Sequence, residues 1–355
     1  MDYISVMTVP TWYCRPEARQ WKCAPVGGDP IRFHRGLDGY APTRLVEVPG
    51  LAKRLGLARA YVKDESVRLG LPAFKVLGAL YAIHRTLAES DATVRTLVTA
   101  TDGNHGHAVA RTAKLLGVNA RVFVPRGVEP VVVAAIRSEG AEVTVLDAGY
   151  DDTVAEAAAD AERTGAQLIQ DTAWPGYEQV PGWIVDGYET LLGEVDRQLD
   201  EAGSGAPDLI AVPVGVGSLA QAAVRHYRSG RSAPSVLSVE PASAPCAIAS
   251  LTAGDPVTVP TETTSMAGLN CGTLSSLAWP VLREGLDAAV VITDDDATAA
   301  IEMLAADGVA AGPSGAASIA GTVAALSEES RRDALGIDRS SVVVMLCTEG
   351  PLTGR

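Results

Sequence analysis

The sequence predicts an α/β protein built on two open, twisted, mostly parallel sheets flanked by helices, with its working cleft between two domains. Three observations predict this. From Leu97 onward, short β-branched runs alternate with alanine-rich helical stretches. A second series of the same kind begins at Leu209. In both series, polar clusters follow the strands directly. Alternation of this type implies βαβ units and parallel sheets, and open α/β sheets bind ligands outside the carboxyl ends of their strands.

The elements follow in order. Residues 1–50 are rich in Trp, Pro and Gly, show no clear period, and are expected to wrap the surface. In the first series, Thr96-Leu97-Val98-Thr99-Ala100 leads into a helix over 105–116. Ala120-Arg121-Val122-Phe123-Val124 leads into one over 130–139, and Glu142-Val143-Thr144-Val145-Leu146 into one over 154–163, before Gln167-Leu168-Ile169-Gln170. One long helix over 183–199 is expected to return the chain to the larger domain. The second series runs through Leu209-Ile210-Ala211-Val212, Val236-Leu237-Ser238-Val239, Ala289-Val290-Val291-Ile292 and Val342-Val343-Val344-Met345-Leu346. The expected division is a large domain of residues 1–88 with 182–355 and a small one of 89–181. No internal repeat or low-complexity tract interrupts it.

Composition narrows the function. The chain has 355 residues, 47% of them hydrophobic and 20% charged, which describes about two well-packed globular domains. A formal charge of −14 without a basic stripe argues against nucleic acid or anionic membranes as partners. The Met1-Asp2-Tyr3 start lacks a basic region followed by an apolar run, so a cytoplasmic protein is expected. The five cysteines are scattered without a C-x-x-C pair, and no metal-ligand set stands out.

Lys75 is one of only five lysines, and it sits in the apolar Pro72-Ala73-Phe74-Lys75-Val76-Leu77-Gly78-Ala79 at an expected helix start. Burial and the positive end of the helix dipole should both lower its pKa towards a free, nucleophilic amine. Taken alone, such a lysine is more often a surface side chain whose stem lies along a helix. Val214-Gly215-Val216-Gly217-Ser218-Leu219 lies between a strand and a helix, where backbone N–H groups can cradle a phosphate. A lone G-x-G is otherwise a plain βα turn. An amine beside a phosphate cradle, without nucleotide motifs, is what pyridoxal phosphate requires.

The longer motifs carry a resemblance. Val62-Lys63-Asp64-Glu65-Ser66-Val67-Arg68-Leu69-Gly70-Leu71, Ala73-Phe74-Lys75-Val76-Leu77-Gly78-Ala79, Ala100-Thr101-Asp102-Gly103-Asn104-His105-Gly106 and Gln170-Asp171-Thr172-Ala173-Trp174 stand in family order. They are followed by Met266-Ala267-Gly268-Leu269-Asn270-Cys271-Gly272 and Thr348-Glu349-Gly350. The chain resembles the fold type II (tryptophan-synthase-β-like) pyridoxal-phosphate enzymes, and within them the diaminopropionate ammonia-lyases. The resemblance implies loss of the β-amine of 2,3-diaminopropionate to give pyruvate and ammonia. It leaves open β-replacement, a serine/threonine dehydratase-type activity, and a non-catalytic cofactor-binding regulator.

The same resemblance implies the site. Lys75 forms the Schiff base, with Phe74 beside it; Asn104 meets the cofactor's phenolic oxygen; Gly215, Val216, Gly217 and Ser218 hold its phosphate; Thr348 faces the pyridine nitrogen. Asp102, where hydroxyamino-acid dehydratases commonly carry Ser, takes the Cα proton of a D-substrate and Lys75 that of an L-substrate, with Asp171 as a second carboxylate. Plain alternatives are helix capping for Asp102 and turn formation for Asp171. His105 has no catalytic role in the pattern, and Lys63, Asp64 and Glu65 read as a charged structural cluster. Cys246 and Cys271 are expected as neighbours, by default reduced. A homodimer acting on a small amino acid is implied. Pro313 where these lyases usually carry Glu, His107 for a common Arg, and Pro351-Leu352 in place of an acidic tail depart from the pattern.

Overall fold

A computed structural model describes residues 9–90, 94–230 and 232–351; Met1, Asp2, Tyr3 and Leu352 lie outside them. The strands are β1 (Trp12–Cys14), β2 (Leu45–Glu47), β3 (Arg59–Asp64), β4 (Thr96–Ala100), β5 (Asn119–Val124), β6 (Glu142–Val145), β7 (Gln167–Leu168), β8 (Leu209–Pro213), β9 (Ser235–Pro241), β10 (Ala288–Ile292) and β11 (Val342–Cys347). They form two sheets. One has seven strands in the order β1-β10-β9-β8-β11-β3-β2, the other four in the order β6-β5-β4-β7. The four-stranded sheet is parallel throughout. The larger one is parallel except at its two edges, where β1 and β2 run antiparallel.

The central strands β8, β9 and β11 are buried at every residue, as parallel strands covered on both faces must be. The Pro313–Leu326 helix, apolar nearly all round, lies across β8 to β11 on one face. Residues 1–50 do more than wrap the surface: they supply both edge strands. Three-residue strands are too short to show the two-residue period that would have marked them.

The expected long helix is two helices, Gln179–Gly187 and Glu189–Glu201. At their junction Tyr188 N–H donates to Val185 O and Leu191 N–H donates to Tyr188 O, both at 3.1 Å, a tightened turn. The tightening accompanies a close crossing with the Lys75–Glu89 helix. A Cβ on Gly78 would come within 2.6 Å of the Tyr188 ring, and one on Gly187 within 2.7 Å of Leu77 O. Strand β7 is also shorter than expected. Beyond Ile169 the ladder passes to a side chain, because Gln170 Oε1 accepts from Ala100 N–H at 3.0 Å. That leaves Asp171 at the strand end.

The segment before Lys75 is anchored by a buried charge network. Lys63 Nζ donates to Glu194 Oε2 at 2.6 Å and to Gln198 Oε1 at 2.8 Å. Arg68 reaches Glu65 at 2.5 Å and Glu194 at 2.7 Å, with all four side chains almost fully buried. Two cations face two carboxylates. Burial pushes the Glu194 carboxyl up, but Arg68 and Lys63 outweigh it and bring it to about 2. The contribution is therefore present above the ordinary glutamate range and lost as pH falls through about 2.

Removing one member leaves its partners buried and uncompensated, which costs about 3–5 kcal/mol. Glu194→Ala should lower unfolding stability by that order in denaturant titrations near neutral pH. A loss within ordinary surface-mutation scatter would show that the network does not hold this segment.

Candidate active site

The carboxyl ends of four strands converge. β4 ends in Thr101-Asp102-Gly103-Asn104, β7 leads to Asp171, β8 to Gly215-Val216-Gly217-Ser218, and β11 to Thr348-Glu349. Every site residue read from the sequence lines one cavity. Tyr150, Tyr188, Cys271, Ser314 and Glu349 line it too.

Lys75 is the first residue of its helix. Phe74 N–H donates to Thr348 O at 3.2 Å, and the Phe74 ring packs against Tyr188 with centroids 4.8 Å apart. The Lys75 ammonium lies 2.6 Å from Asp171 Oδ2. The expected depression of its pKa is overturned. Burial does push it down, but Asp171, with Tyr188 and Asp102, carries it the other way, and the net shift is upward. For Asp171, burial raises the carboxyl and Lys75 lowers it, leaving it at about 2. The two shifts belong to one ion pair.

Asp102 does not cap the helix. Gly103 is the N-cap residue of the Asn104–Leu116 helix, and no side chain bonds there. Removal from bulk water raises the Asp102 carboxyl to about 6, against the pull of Lys75. Such a group can change protonation near neutrality. His105 is buried, with Nε2 2.8 Å from Ile169 O and Nδ1 3.9 Å from Asp171, and burial lowers its pKa.

The glycine turn meets the demands of an anion cradle. Gly217 has φ +94°, a left-handed conformation, and a Cβ there would come within 2.9 Å of Ala278 Cβ. It caps the Ser218–Ser229 helix, whose first N–H groups have no acceptor inside the helix. The Ser218 hydroxyl donates to Asp171 O at 2.9 Å, so the backbone N–H groups are the donors left for a phosphate. Thr348 Oγ1 is 3.3 Å from Ser314 O, while the buried Ser314 Oγ has no hydrogen-bond partner and lines the cavity. Pro313 opens its helix at a position where a missing N–H costs little. His107 lies 3.4 Å from Glu139, which Arg111 also holds at 2.6 Å.

Cys246 and Cys271 are both buried free thiols. They are neighbours through Gly215: Cys246 Sγ lies 3.7 Å from Gly215 O, and a Cβ on Gly215 would come within 3.2 Å of Cys271 Sγ.

Sequence reasoning gave no role to Tyr150 or Glu349. Tyr150 opens a helix immediately after Gly149 and accepts from Gln170 Nε2 at 3.2 Å; burial keeps its hydroxyl protonated. Its only signal was that position. Glu349 lay inside a quoted motif, next to Thr348.

An amine at one wall and a cradle of backbone donors at another suit an aldehyde that carries a phosphate ester, with the orphaned Ser314 hydroxyl free for a ring heteroatom. Together with the two sheets, this defines a pyridoxal-phosphate enzyme of fold type II. The family model for pyridoxal-phosphate dependent enzymes matches residues 37–348. A diaminopropionate ammonia-lyase of Salmonella typhimurium is 39% identical over 300 residues, covering 78% of this chain and 74% of that protein. The Escherichia coli diaminopropionate ammonia-lyase is 36% identical over 349 residues, 90% of this chain and 87% of the other. The E. coli crystal structure in complex with an aminoacrylate-PLP azomethine reaction intermediate superposes with a TM-score of 0.84 and 34% identity, covering 91% of this chain and 88% of that one. The chain belongs to the diaminopropionate ammonia-lyase family.

Gly217→Ala tests the cradle. Strain at φ +94° and the contact with Ala278 should move the turn, weakening pyridoxal phosphate binding by about tenfold or more. Titration of the visible cofactor band would measure this. Unchanged affinity would place the phosphate elsewhere.

Proposed function

We propose that this protein eliminates the β-amine of 2,3-diaminopropionate, giving pyruvate and ammonia, with pyridoxal phosphate carried on Lys75. The observation that carries the reading is Asp102, a carboxyl group at about 6 in the same cavity as Lys75. Among the described residues lining that cavity, Lys75 is the one cation against the carboxyl groups of Asp102, Asp171 and Glu349. An acidic lining favours a substrate with two ammonium groups.

When bound, pyridoxal phosphate supplies the electron sink for charge that develops at Cα. The residues that would hold it are Lys75, Phe74, Asn104, the turn from Gly215 to Ser218, and Thr348 or Ser314. Lys75 and Asp102 approach Cα from different elements, the start of one helix and the loop before another. If they lie on opposite faces of Cα, as the resemblance implies, each serves one enantiomer: Lys75 takes the Cα proton of the L-form and Asp102 that of the D-form. As the proton leaves, its bonding electrons form the Cα–Cβ double bond, the Cβ–N bond breaks, and the β-nitrogen departs as ammonia. Water then releases pyruvate and the second ammonia.

Asp171 holds the Lys75 ammonium in place until the amine is needed. The division into residues 1–88 with 182–355 and 89–181 belongs to the same proposal and is supported by the two separate sheets. A homodimer is proposed from the family alone, and a cytoplasmic setting belongs to the same proposal. Among the described residues, no helix is long and apolar enough to cross a membrane.

The test is release of pyruvate from each enantiomer of 2,3-diaminopropionate. Asp102→Asn should lower D-turnover by about 10²–10⁴-fold while leaving L-turnover measurable. Equal losses would show that Asp102 binds substrate or shapes the loop. Product formed only when an external nucleophile is added would replace elimination with β-replacement.

A second expectation concerns pH. Asp102 acts as a base only when ionised, so D-turnover in the unaltered protein should fall as pH drops through about 6. The ratio of kcat/KM for the two enantiomers across that range measures it. A ratio that stays flat would remove Asp102 from the D-specific step.

A further inference from the structure

Glu349 sits at the junction of three elements. It follows β11 in the seven-stranded sheet, and its carboxylate reaches the starts of two helices. Asn104 Nδ2 donates to Glu349 Oε2, and Ser314 N–H donates to Glu349 Oε1 at 3.2 Å. Asn104 opens the helix that follows β4 of the other sheet, so this hydrogen bond joins elements of the two sheets across the cavity.

The backbone of Glu349 is held as firmly as its side chain. Gly312 N–H donates to Glu349 O at 3.0 Å, and a Cβ on Gly315 would come within 2.2 Å of that oxygen. On either side, Thr348 O accepts from Phe74 N–H at 3.2 Å and Gly350 N–H donates to Pro72 O at 2.9 Å. The strip that presents Phe74 and Lys75 therefore also fixes Glu349.

An asparagine side chain has a donor end and an acceptor end, and its last torsion is broad and nearly two-fold. Left unrestrained, Asn104 could present either end to the cavity. An ionised carboxylate only accepts. With Glu349 opposite, the amide nitrogen must face it, and the oxygen and second N–H are left for the cavity.

We propose that Glu349 is a positioning residue that fixes the Asn104 carboxamide, so that its remaining N–H is presented to the phenolic oxygen of pyridoxal phosphate. This rests on the reading of Asn104 as the partner of that oxygen. Burial raises the Glu349 carboxyl and the net shift is upward, although the hydrogen bonds from Ser314 and Asn104 oppose it; the orientation is read from the hydrogen bond that Asn104 Nδ2 donates. Substrate contact is not required of Glu349. Its effect passes through Asn104.

The test is a double-mutant cycle on the holoenzyme, reading pyridoxal phosphate affinity and the pH midpoint of the visible cofactor band. Glu349→Ala should weaken cofactor binding about tenfold and move the midpoint by about one pH unit. Asn104→Ala should do the same, and the double variant should be no worse than Asn104→Ala alone. Glu349→Gln, whose amide can donate as well as accept and so no longer selects one end of Asn104, should resemble Glu349→Ala in both properties. Thermal unfolding of each holoenzyme separates these effects from loss of fold.

Additive effects in the double variant would overturn the proposal, as would Glu349→Gln behaving like the unaltered protein. If Asn104→Ala shifts the band and Glu349→Ala does not, Glu349 has no positioning role and the reading of Asn104 stands. If Asn104→Ala leaves the band unchanged, that reading falls and takes the proposal with it.

Discussion

The Lys75–Asp171 ion pair is the contact around which the site is arranged. It joins the start of the Lys75–Glu89 helix to the end of β7, and so ties helix to sheet across the cavity at 2.6 Å. The backbone carbonyl of the same aspartate accepts from Ser218, at the first turn of the glycine-loop helix. One residue thus fixes the amine and the anion cradle relative to each other. Desolvation opposes both charges, and their mutual attraction is the largest effect that keeps them ionised in this setting. An ammonium so held is not a nucleophile, so its proton must leave before it can attack.

The rest of the architecture serves that geometry. Parallel strands in both sheets end at the cavity, and the strand ends supply side chains without long loops. Close helix crossing at Gly78 and Gly187 brings Tyr188 against Phe74, while the buried charges of Lys63, Glu65, Arg68 and Glu194 hold the strand that leads towards Lys75. A network of this kind is not an efficient source of stability compared with apolar packing. Its value lies in geometry, because its members satisfy one another in only one arrangement.

Much of this was legible in the sequence, for physical reasons. Buried parallel strands read as β-branched runs, so β4, β8 and β11 emerged at nearly their observed bounds. The long motifs already assign Lys75, Asp102, Asn104 and Thr348 to one site. The failures also have reasons. β1 and β2 are too short to show a period, and the helix break at Tyr188 is set by a crossing with a distant helix. The direction of the Lys75 shift was missed because local sequence reports burial and helix position, whereas the charge that decides it lies 96 residues away. Glu349 and Tyr150 were passed over for a similar cause: their partners come from other elements.

The central claim is that Lys75 is the residue that carries the cofactor. Borohydride reduction of the holoenzyme followed by peptide mapping tests it most directly. The account predicts a pyridoxyl group on the peptide that contains Phe74-Lys75-Val76 and on no other. A pyridoxyl group on the buried Lys63, or on any surface lysine, with Lys75 unmodified would contradict it.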